Sequence, residues 1–362
     1  MTLRLLRTSS AIVLALGGLF TVAEVHGASA QRTFVATYGS DASPNCSPAA
    51  PCRSFGTAIV RTASGGEIIV LDSGGYGPLT ITQSVSLIAP PGVYGGISVL
   101  PALDGIVVDG AGITVVLRGL TINGQGGNVG IKWLHGDRLF VDGCTIANLG
   151  QQGILGDSGG QLIVADSTIR ANGGPGVEVA GGVTVIDRSR LENNQIGATL
   201  SQGGLSLTGS LTVSNSTVVG NGSTGIEVSA FVGQDYRLTV DQSVVRDHAL
   251  AGVLVKSNSL STFARGTVTR STLAGNGDGI RSEVFEGNSI VMATGNSISS
   301  SVSNGILATG PGAYVEASAN TLQQNASAGM RGAAGGTVAT RSDNGIYGAS
   351  PLAGTVVTAT NY

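Results

Sequence analysis

One short repeat runs through most of this chain and restricts how it can fold. It is plainest between Leu162 and Gly182, in LIVADSTIRANGGPGVEVAGG, where two apolar alternations flank a turn that ends in Asn and Gly. Similar stretches occupy residues 139–156 and 211–228. Each copy has an apolar residue directly after a glycine, and these marker residues recur every 21 to 28 positions, which is typical of a solenoid. The marker residues are Ile131, Ile154, Val177, Ala198, Ile226, Val253, Ile280, Ile306 and Met330.

The repeat predicts strands rather than helices. Its apolar residues alternate with a period of two, as in pleated strands that bury one face. Helical solenoids need a longer unit with fewer glycines, and the leucine spacing of a leucine-rich repeat is absent. The number of residues between markers varies, whereas the Asn-Gly turn is constant. This combination fits a coil whose successive windings stack about 4.8 Å apart. We therefore predict an all-β, parallel β-helix in which the marker residues form one internal column.

Asparagine recurs at the turn of the repeat. Stacked asparagines accept left-handed backbone geometry and can hydrogen-bond to the equivalent residue of the next turn. The recurrence favours such a ladder, although ordinary turn asparagines would give the same residue type. The predicted ladder residues are Asn148, Asn172, Asn194, Asn221, Asn276 and Asn325.

The segment LTVSNSTVVGNGSTGIEV, residues 211–228, resembles the repeat of the right-handed parallel β-helices in the pectate-lyase-like superfamily. The resemblance covers about residues 67–350 and implies the fold. It does not imply one activity, because this superfamily includes polysaccharide lyases, hydrolases, epimerases, esterases and phage tailspikes. A polysaccharide or cell-surface glycan is therefore the expected partner.

Residues 1–30 have the features of a bacterial signal peptide. Arg4 and Arg7 precede an apolar stretch at 11–20, and Ala28-Ser29-Ala30 has the small residues of a cleavage site. We expect a secreted or periplasmic protein, with a retained N-terminal anchor as the alternative. No later apolar stretch is long enough to span a bilayer, and no Lys/Arg run suggests a nucleic acid partner.

The mature chain divides into three predicted parts. Residues 31–66 hold Cys46 and Cys52, a predicted disulfide across a Pro-rich loop, followed by a predicted capping helix at Ser54 to Ala63. Residues 67–350 form the predicted β-helix, and 351–362 a C-terminal tail. Cys144 occupies a position held by serine in sister repeats and is interpreted as a buried free thiol, with a reactive nucleophile as the alternative.

The first candidate site combines rare residue types in the segment IKWLHGDR. Lys132, His135 and Asp137 are candidate catalytic residues, and Trp133, the single tryptophan, is a candidate for stacking on a sugar. The alternative interpretation is an ordinary turn with a long, polar loop.

The second candidate site comes from aligning the strands on their marker residues. Lys256 then lies beside Glu283, with Glu227 and Arg281 within a turn or two, and His248 replaces the turn asparagine nearby. Such groups could supply a base and a carboxylate-neutralising cation for a lyase, or paired carboxylates for a hydrolase. The alternative is a surface charge ladder, in which each pair contributes about 0.2–1 kcal/mol to stability.

No catalytic motif of the superfamily can be carried over to this chain. The Asp quartet that binds Ca²⁺ in pectate lyases is not found, so no cofactor is predicted, and the paired Asp motifs of polygalacturonase-like hydrolases are missing. Aromatic residues make up 4% of the chain, which argues against a long groove with aromatic subsites. Two functions therefore stay open. One is a protein that binds or modifies a polysaccharide as a lyase, epimerase or hydrolase would, and the other is a non-catalytic surface or periplasmic scaffold.

Overall fold

The computed structural model describes residues 29–157, 159–201, 208–348 and 350–359. In these residues the chain winds into a right-handed solenoid of about 11 turns, built from parallel strands with one short helix. Each complete turn has three strands, which lie on what we call the first, second and third faces. The first and second faces form one continuous 24-stranded sheet, and the third face is a separate 12-stranded sheet.

The first face contains the marker residues. Its strands are Leu79–Ile81, Ile106–Asp109, Ile131–His135, Ile154–Gly156, Val177–Val179, Ala198–Ser201, Thr224–Ala230, Asn304–Thr309, Ala328–Ala333 and Leu352–Gly354. Two longer strands bend across a corner and contribute to both the first and the second face, namely Ala251–Thr269 and Asp278–Thr294.

The second and third faces follow in each turn. The remaining strands of the second face are Ala30–Val35, Thr62–Val70, Val85–Ile88, Thr114–Arg118, Arg138–Asp142, Gln161–Ala165, Gly182–Asp187, Thr208–Ser214, Asp235–Asp241, Ala313–Ser318, Thr337–Thr340 and Val356–Thr358. Those of the third face are Gly74–Gly75, Gly95–Val99, Leu120–Gly124, Thr145–Ala147, Thr168–Arg170, Arg190–Glu192, Thr217–Val219, Val244–Arg246, Thr272–Ala274, Ser297–Ser299, Thr321–Gln323 and Gly345–Tyr347.

The predicted internal column of marker residues is confirmed. Ile131 pairs in register with Ile154, and the pairing continues turn by turn through Val177 to Met330. Every one of these side chains is 0% exposed. The apolar alternation of the sequence therefore fixes which side of each strand faces the core.

A ladder of buried polar side chains follows the corner between the third and first faces. The amide oxygen of Asn194 accepts the backbone N–H of Asn172. In the same way the amide oxygen of Asn221 accepts the backbone N–H of Asn194, at 2.9 Å. The ladder runs through His248 to Asn276 and recurs where Asn325 accepts the N–H of Ser301. These contacts satisfy backbone donors that burial would otherwise leave without a partner.

The predicted ladder is wrong at Asn148. This residue has a φ of 62°, and its side chain instead donates to Asn123 on the surface. The neighbouring Leu149 takes the ladder position, and its N–H donates to Asn172. The repeat therefore starts its asparagine ladder one turn later than the sequence pattern suggested.

A second ladder lies at the corner between the second and third faces. The thiol residue Cys144 begins it, and its backbone N–H donates to the hydroxyl oxygen of Ser167. Each N–H then donates to the side chain of the following turn, first to serines and later to asparagines. The acceptors after Ser167 are Ser189, Ser216, Ser243, Ser271, Asn296, Asn320 and Asn344.

The variable step of the repeat comes almost wholly from the third corner, between the first and second faces. Ile131 precedes Leu139, its counterpart on the second face, by 8 residues, whereas Val253 precedes the equivalent Gly266 by 13. From the second to the third face the spacing is seven residues in every turn from Val115 to Val315, as from Leu139 to Ile146. The longest corners belong to the consecutive turns marked by Ala198, Ile226, Val253 and Ile280.

The N-terminal segment contains the predicted disulfide. Cys46 and Cys52 are bonded and fully buried, and backbone hydrogen bonds tie their loop to the strand Ala30–Val35. The loop closed by the bond is short, so the bond restricts local shape more than it stabilises the whole chain.

A seven-residue helix, Phe55–Arg61, lies inside the segment predicted to form a capping helix. It begins at Ser54, whose hydroxyl accepts the backbone N–H of Thr57, and it buries Phe55 and Ile59. Its role as a cap stays a prediction. No helix in the described part of the chain is long and apolar enough to cross a membrane, and the predicted signal peptide lies almost wholly outside the described residues.

Candidate functional site

The first predicted cluster is divided because neighbouring residues of a strand point to opposite sides. Ile131 and Trp133 both point into the core, and Trp133 is only 1% exposed. The prediction that its ring stacks on a sugar is therefore wrong. Lys132 points outward from the first face, where its ammonium group lies 3.4 Å from the carboxylate of Asp104.

His135 is the last residue of the same strand and Asp137 follows it, at the corner between the first and second faces. His135 is exposed, and its Nδ1 lies 2.6 Å from a carboxylate oxygen of Asp109. Both predicted residues line an open depression of about 560 Å³. The pair of His135 and Asp109 is thus separate from Lys132, and the three candidate catalytic residues do not converge on one point.

The second predicted cluster does come together, in the register that the sequence predicted. Glu227 is level with Leu254 and then Arg281 on successive turns, and Lys256 is level with Glu283. The guanidinium of Arg281 contacts the carboxylate of Glu283 at 2.7 Å, and the ammonium of Lys256 lies 3.7 Å from it. These side chains form a half-buried ionic cluster on the outside of the first face.

Asp278 belongs to this ionic cluster but was missed by the sequence analysis. Its carboxylate is buried, lies 3.3 Å from Arg281 and accepts both the backbone and the side-chain N–H groups of Asn304. The available signal was its place two residues before the marker Ile280, which is held by uncharged residues in the turns from Ile131 to Val253.

Glu227 differs from the other carboxylates of the cluster. Burial raises its pKa above the ordinary value, although the neighbouring charge of Lys256 acts in the opposite direction. The residues level with it on both adjacent turns, Thr199 and Leu254, carry no charge. A carboxyl group with a raised pKa retains its proton more readily than an ordinary one and can donate a hydrogen bond or a proton.

Glu178 extends this outward row, and the sequence analysis also missed it. It is level with Thr199, which is level with Glu227, and its carboxylate accepts a hydrogen bond of 2.8 Å from the Gln152 side chain. Together with Thr199 and Ser201 it lines an open depression of about 420 Å³. We call the outward row from Glu178 to Glu283 the first-face groove.

Exposed apolar side chains flank the first-face groove at the long corners. Phe285 is 65% exposed, and its ring centroid lies 4.6 Å from the ammonium of Lys256. Phe231, Leu260 and Phe263 are exposed in the two preceding turns. The aromatic residues are few in the chain as a whole, yet three of them are exposed at this one corner.

The comparisons with known proteins agree with this architecture. A family model described as a right handed beta helix region matches residues 98–233. The fold of this chain is a right-handed parallel β-helix. Its fold is similar to that of the A-module of mannuronan C-5 epimerase AlgE6 from Azotobacter vinelandii, with 16% identity, a TM-score of 0.53, and coverage of 82% of this chain and 91% of that one.

A second solved structure gives the same result for the fold. The alginate lyase from Paenibacillus sp. str. FPU-7 shares 15% identity with this β-helix at a TM-score of 0.50, over 91% of this chain and 100% of that one. Identities this low establish the shared fold and nothing more. None of the curated proteins matches the sequence. Within the described part of the β-helix, no group of three His, Cys, Asp or Glu side chains is arranged to hold a metal ion.

His248 lies in the asparagine ladder of the β-helix and is not part of the ionic cluster. Its Nδ1 accepts the backbone N–H of Asn221 at 3.1 Å, so Nε2 carries the proton and donates to the carbonyl of Val218 at 3.2 Å. The side-chain amide of Asn194 makes the same two kinds of contact, since its oxygen accepts the N–H of Asn172 and its nitrogen donates to the carbonyl of Ile169. The prediction of His248 as a catalytic residue is therefore wrong, because its two ring nitrogens are buried and already hydrogen-bonded.

The position of His248 makes the stability of the β-helix depend on pH. Burial lowers the pKa of His248, so below about pH 6.5 the unfolded chain binds a proton that the folded protein does not. The free energy of unfolding should therefore fall between pH 7 and pH 5 by at most about 2 kcal/mol from this residue. We expect His248→Asn to remove that part of the slope in urea unfolding. His135→Asn, at an exposed histidine, should retain it, and equal slopes in the two variants would refute the assignment.

Cys144 is the free thiol that the sequence predicted. It is buried, and burial raises the pKa of its thiol to about 12. A thiol that stays protonated and has no access to solvent does not act as a nucleophile. The alternative interpretation of Cys144 as a reactive residue is therefore wrong.

Proposed function

We propose that the protein binds a polysaccharide along the first-face groove. One observation carries the proposal: the four longest corners of the solenoid are consecutive, and they lie beside the stretch of the first face where Glu227, Lys256, Arg281 and Glu283 gather. Loops that vary in length while the framework stays constant are the usual location of binding residues.

The shape of the first face supports an extended ligand. Outward side chains at the same register repeat with the strand spacing, about 4.8 Å, along the solenoid axis. A chain molecule that follows the axis therefore meets an outward side chain of each turn in succession. The two proteins of similar fold are by name an epimerase of mannuronan and a lyase of alginate, which makes a polysaccharide the first ligand class to test.

The proposal includes a location outside the cytoplasm. The predicted signal peptide at residues 1–30 would direct export, and the disulfide between Cys46 and Cys52 is stable in an oxidising compartment. We therefore propose a secreted or periplasmic protein.

The two lysines of the chain provide a matched test. Both lie on the first face, Lys256 in the ionic cluster and Lys132 outside it. We expect Lys256→Ala to weaken binding to a recognised polysaccharide by about tenfold, or about 1.4 kcal/mol, and Lys132→Ala to leave it unchanged. Affinity electrophoresis against a polysaccharide panel measures this, with thermal melting as the check on folding.

Two results would contradict the proposed function. The first is that no polysaccharide in the panel binds, and the second is that both lysine variants lose binding equally. Release of reducing ends or of unsaturated products absorbing at about 235 nm, measured in parallel, distinguishes a modifying enzyme from a binding protein. If such release occurs, Glu227→Gln should abolish it, because an amide cannot donate a proton to the leaving oxygen.

A further inference from the structure

The charges of the first-face groove indicate which polysaccharides it accepts. On the described strands of this groove, the outward side chains that carry permanent positive charge are Lys256 and Arg281, and each contacts a carboxylate of the protein. We propose that the groove binds a neutral polysaccharide, through hydroxyl or amide groups, and excludes polyuronates. This inference rests on the proposed function and names its ligand class.

Arg281 has no side of its guanidinium group left for a ligand carboxylate. Its Nε and Nη2 atoms contact Glu283 at 2.7 Å, and Nη1 contacts Asp278 at 3.3 Å. All three side chains are largely buried. A uronate would have to displace a buried protein carboxylate, and a buried carboxylate left without its partner is strongly unfavourable.

Lys256 is also occupied. Its ammonium group has Glu283 on one side and the ring of Phe285 on another, at 4.6 Å from the centroid. The cation is thereby held by an ion pair and by an aromatic face. It shapes the edge of the groove but is not an open anion site.

The overall charge of the groove is unfavourable for an acidic chain. Glu178, Asp278 and Glu283 carry three negative charges against the two positive charges of Lys256 and Arg281. Ionisation of Glu227 would add one more negative charge. A polyuronate would therefore meet repulsion at low ionic strength.

Neutral sugars find suitable partners in the same place. Ser201 and the amide groups of Gln151 and Gln195 are uncharged polar groups at the depression beside Glu178. The exposed ring of Phe285 offers a flat apolar surface for the C–H face of a sugar ring. Polar groups that fix orientation beside an aromatic surface are the usual composition of a binding site for an uncharged ligand.

A matched pair of polymers tests the charge preference directly. Polygalacturonate and the same polymer after chemical reduction of its carboxyl groups differ in charge but share their linkage. With alginate and reduced alginate as a second pair, we expect the neutral member of at least one pair to bind about tenfold more tightly at low salt. Added salt should weaken the discrimination, because it screens the repulsion of the acidic member.

Variants of the protein make the test specific to this groove. Phe285→Ala should weaken binding of the neutral polymer by about tenfold, whereas Tyr38→Ala, at an exposed aromatic residue of the N-terminal segment, should not. Glu283→Gln should increase binding of the acidic polymer, because it removes the carboxylate shared by Lys256 and Arg281.

The outcomes separate this inference from the proposed function. Tighter binding of the acidic polymers, weakened by salt and by Lys256→Ala, would overturn the neutral class but leave polysaccharide binding intact. Failure of both polymer pairs and of uncharged glucans to bind would overturn both proposals. Discrimination in favour of the neutral polymer that is lost in Phe285→Ala supports the inference.

Discussion

Val177→Asp should abolish the soluble folded protein. Val177 is 0% exposed and lies in the internal column between Ile154 and Ala198, so the new carboxyl group would have no water and no polar partner. Burying such a group costs several kcal/mol even when it is protonated, against a total stability of about 5–15 kcal/mol for a typical domain. We expect the variant to be found in the insoluble fraction or to lack a cooperative thermal transition.

The matched control is the same substitution at an exposed valine. Val183 on the second face is 46% exposed, and we expect Val183→Asp to change the melting behaviour little. A Val177→Asp protein that is soluble and melts like the parent would contradict the inward position of the column and, with it, the outward position of the first-face groove.

Asn194→Ala should cost about 3 kcal/mol of unfolding free energy. The Asn194 amide oxygen accepts from both the backbone and the side chain of Asn172, and its amide nitrogen donates to the carbonyl of Ile169. Alanine removes these contacts and leaves buried donors and an acceptor without partners, each at a cost of about 1–3 kcal/mol. Urea unfolding monitored by circular dichroism measures the loss.

The control for this prediction is an asparagine outside the ladder. Asn148 has positive φ and a side-chain contact on the surface, so Asn148→Gly should change stability by less than about 1 kcal/mol. Equal effects of the two substitutions would mean that the buried ladder contributes no more than an ordinary turn residue.

The sequence predicted the fold because its information is repeated. Each turn carries the same apolar alternation. A wrong assignment in one copy, such as the ladder position given to Asn148 although Leu149 holds it, therefore does not change the register of the others. The register also placed Lys256 beside Glu283 correctly, since equivalent positions in a parallel stack must be neighbours.

The candidate site was less predictable, because chemical rarity is a poor guide to exposure. Trp133 shares its strand with Ile131 at a spacing of two, and the alternation alone places both inside. His248 reproduces the hydrogen bonds of the asparagine that it replaces. Phe285 was missed for the opposite reason, since it lies in a long corner where the alternation lapses.

The constant spacing between the second and third faces has a consequence for how such a molecule can change. An inserted residue between the second and third faces would move a ladder side chain out of reach of the N–H that it serves. At the corner between the first and second faces such a contact occurs where Thr114 donates its N–H to Ser84, but no ladder follows the described residues of the long corners. The loops at the corner between the first and second faces can therefore vary in length and sequence while the framework stays the same. New loops at that corner would change which molecules are recognised without altering the contacts that hold the turns together.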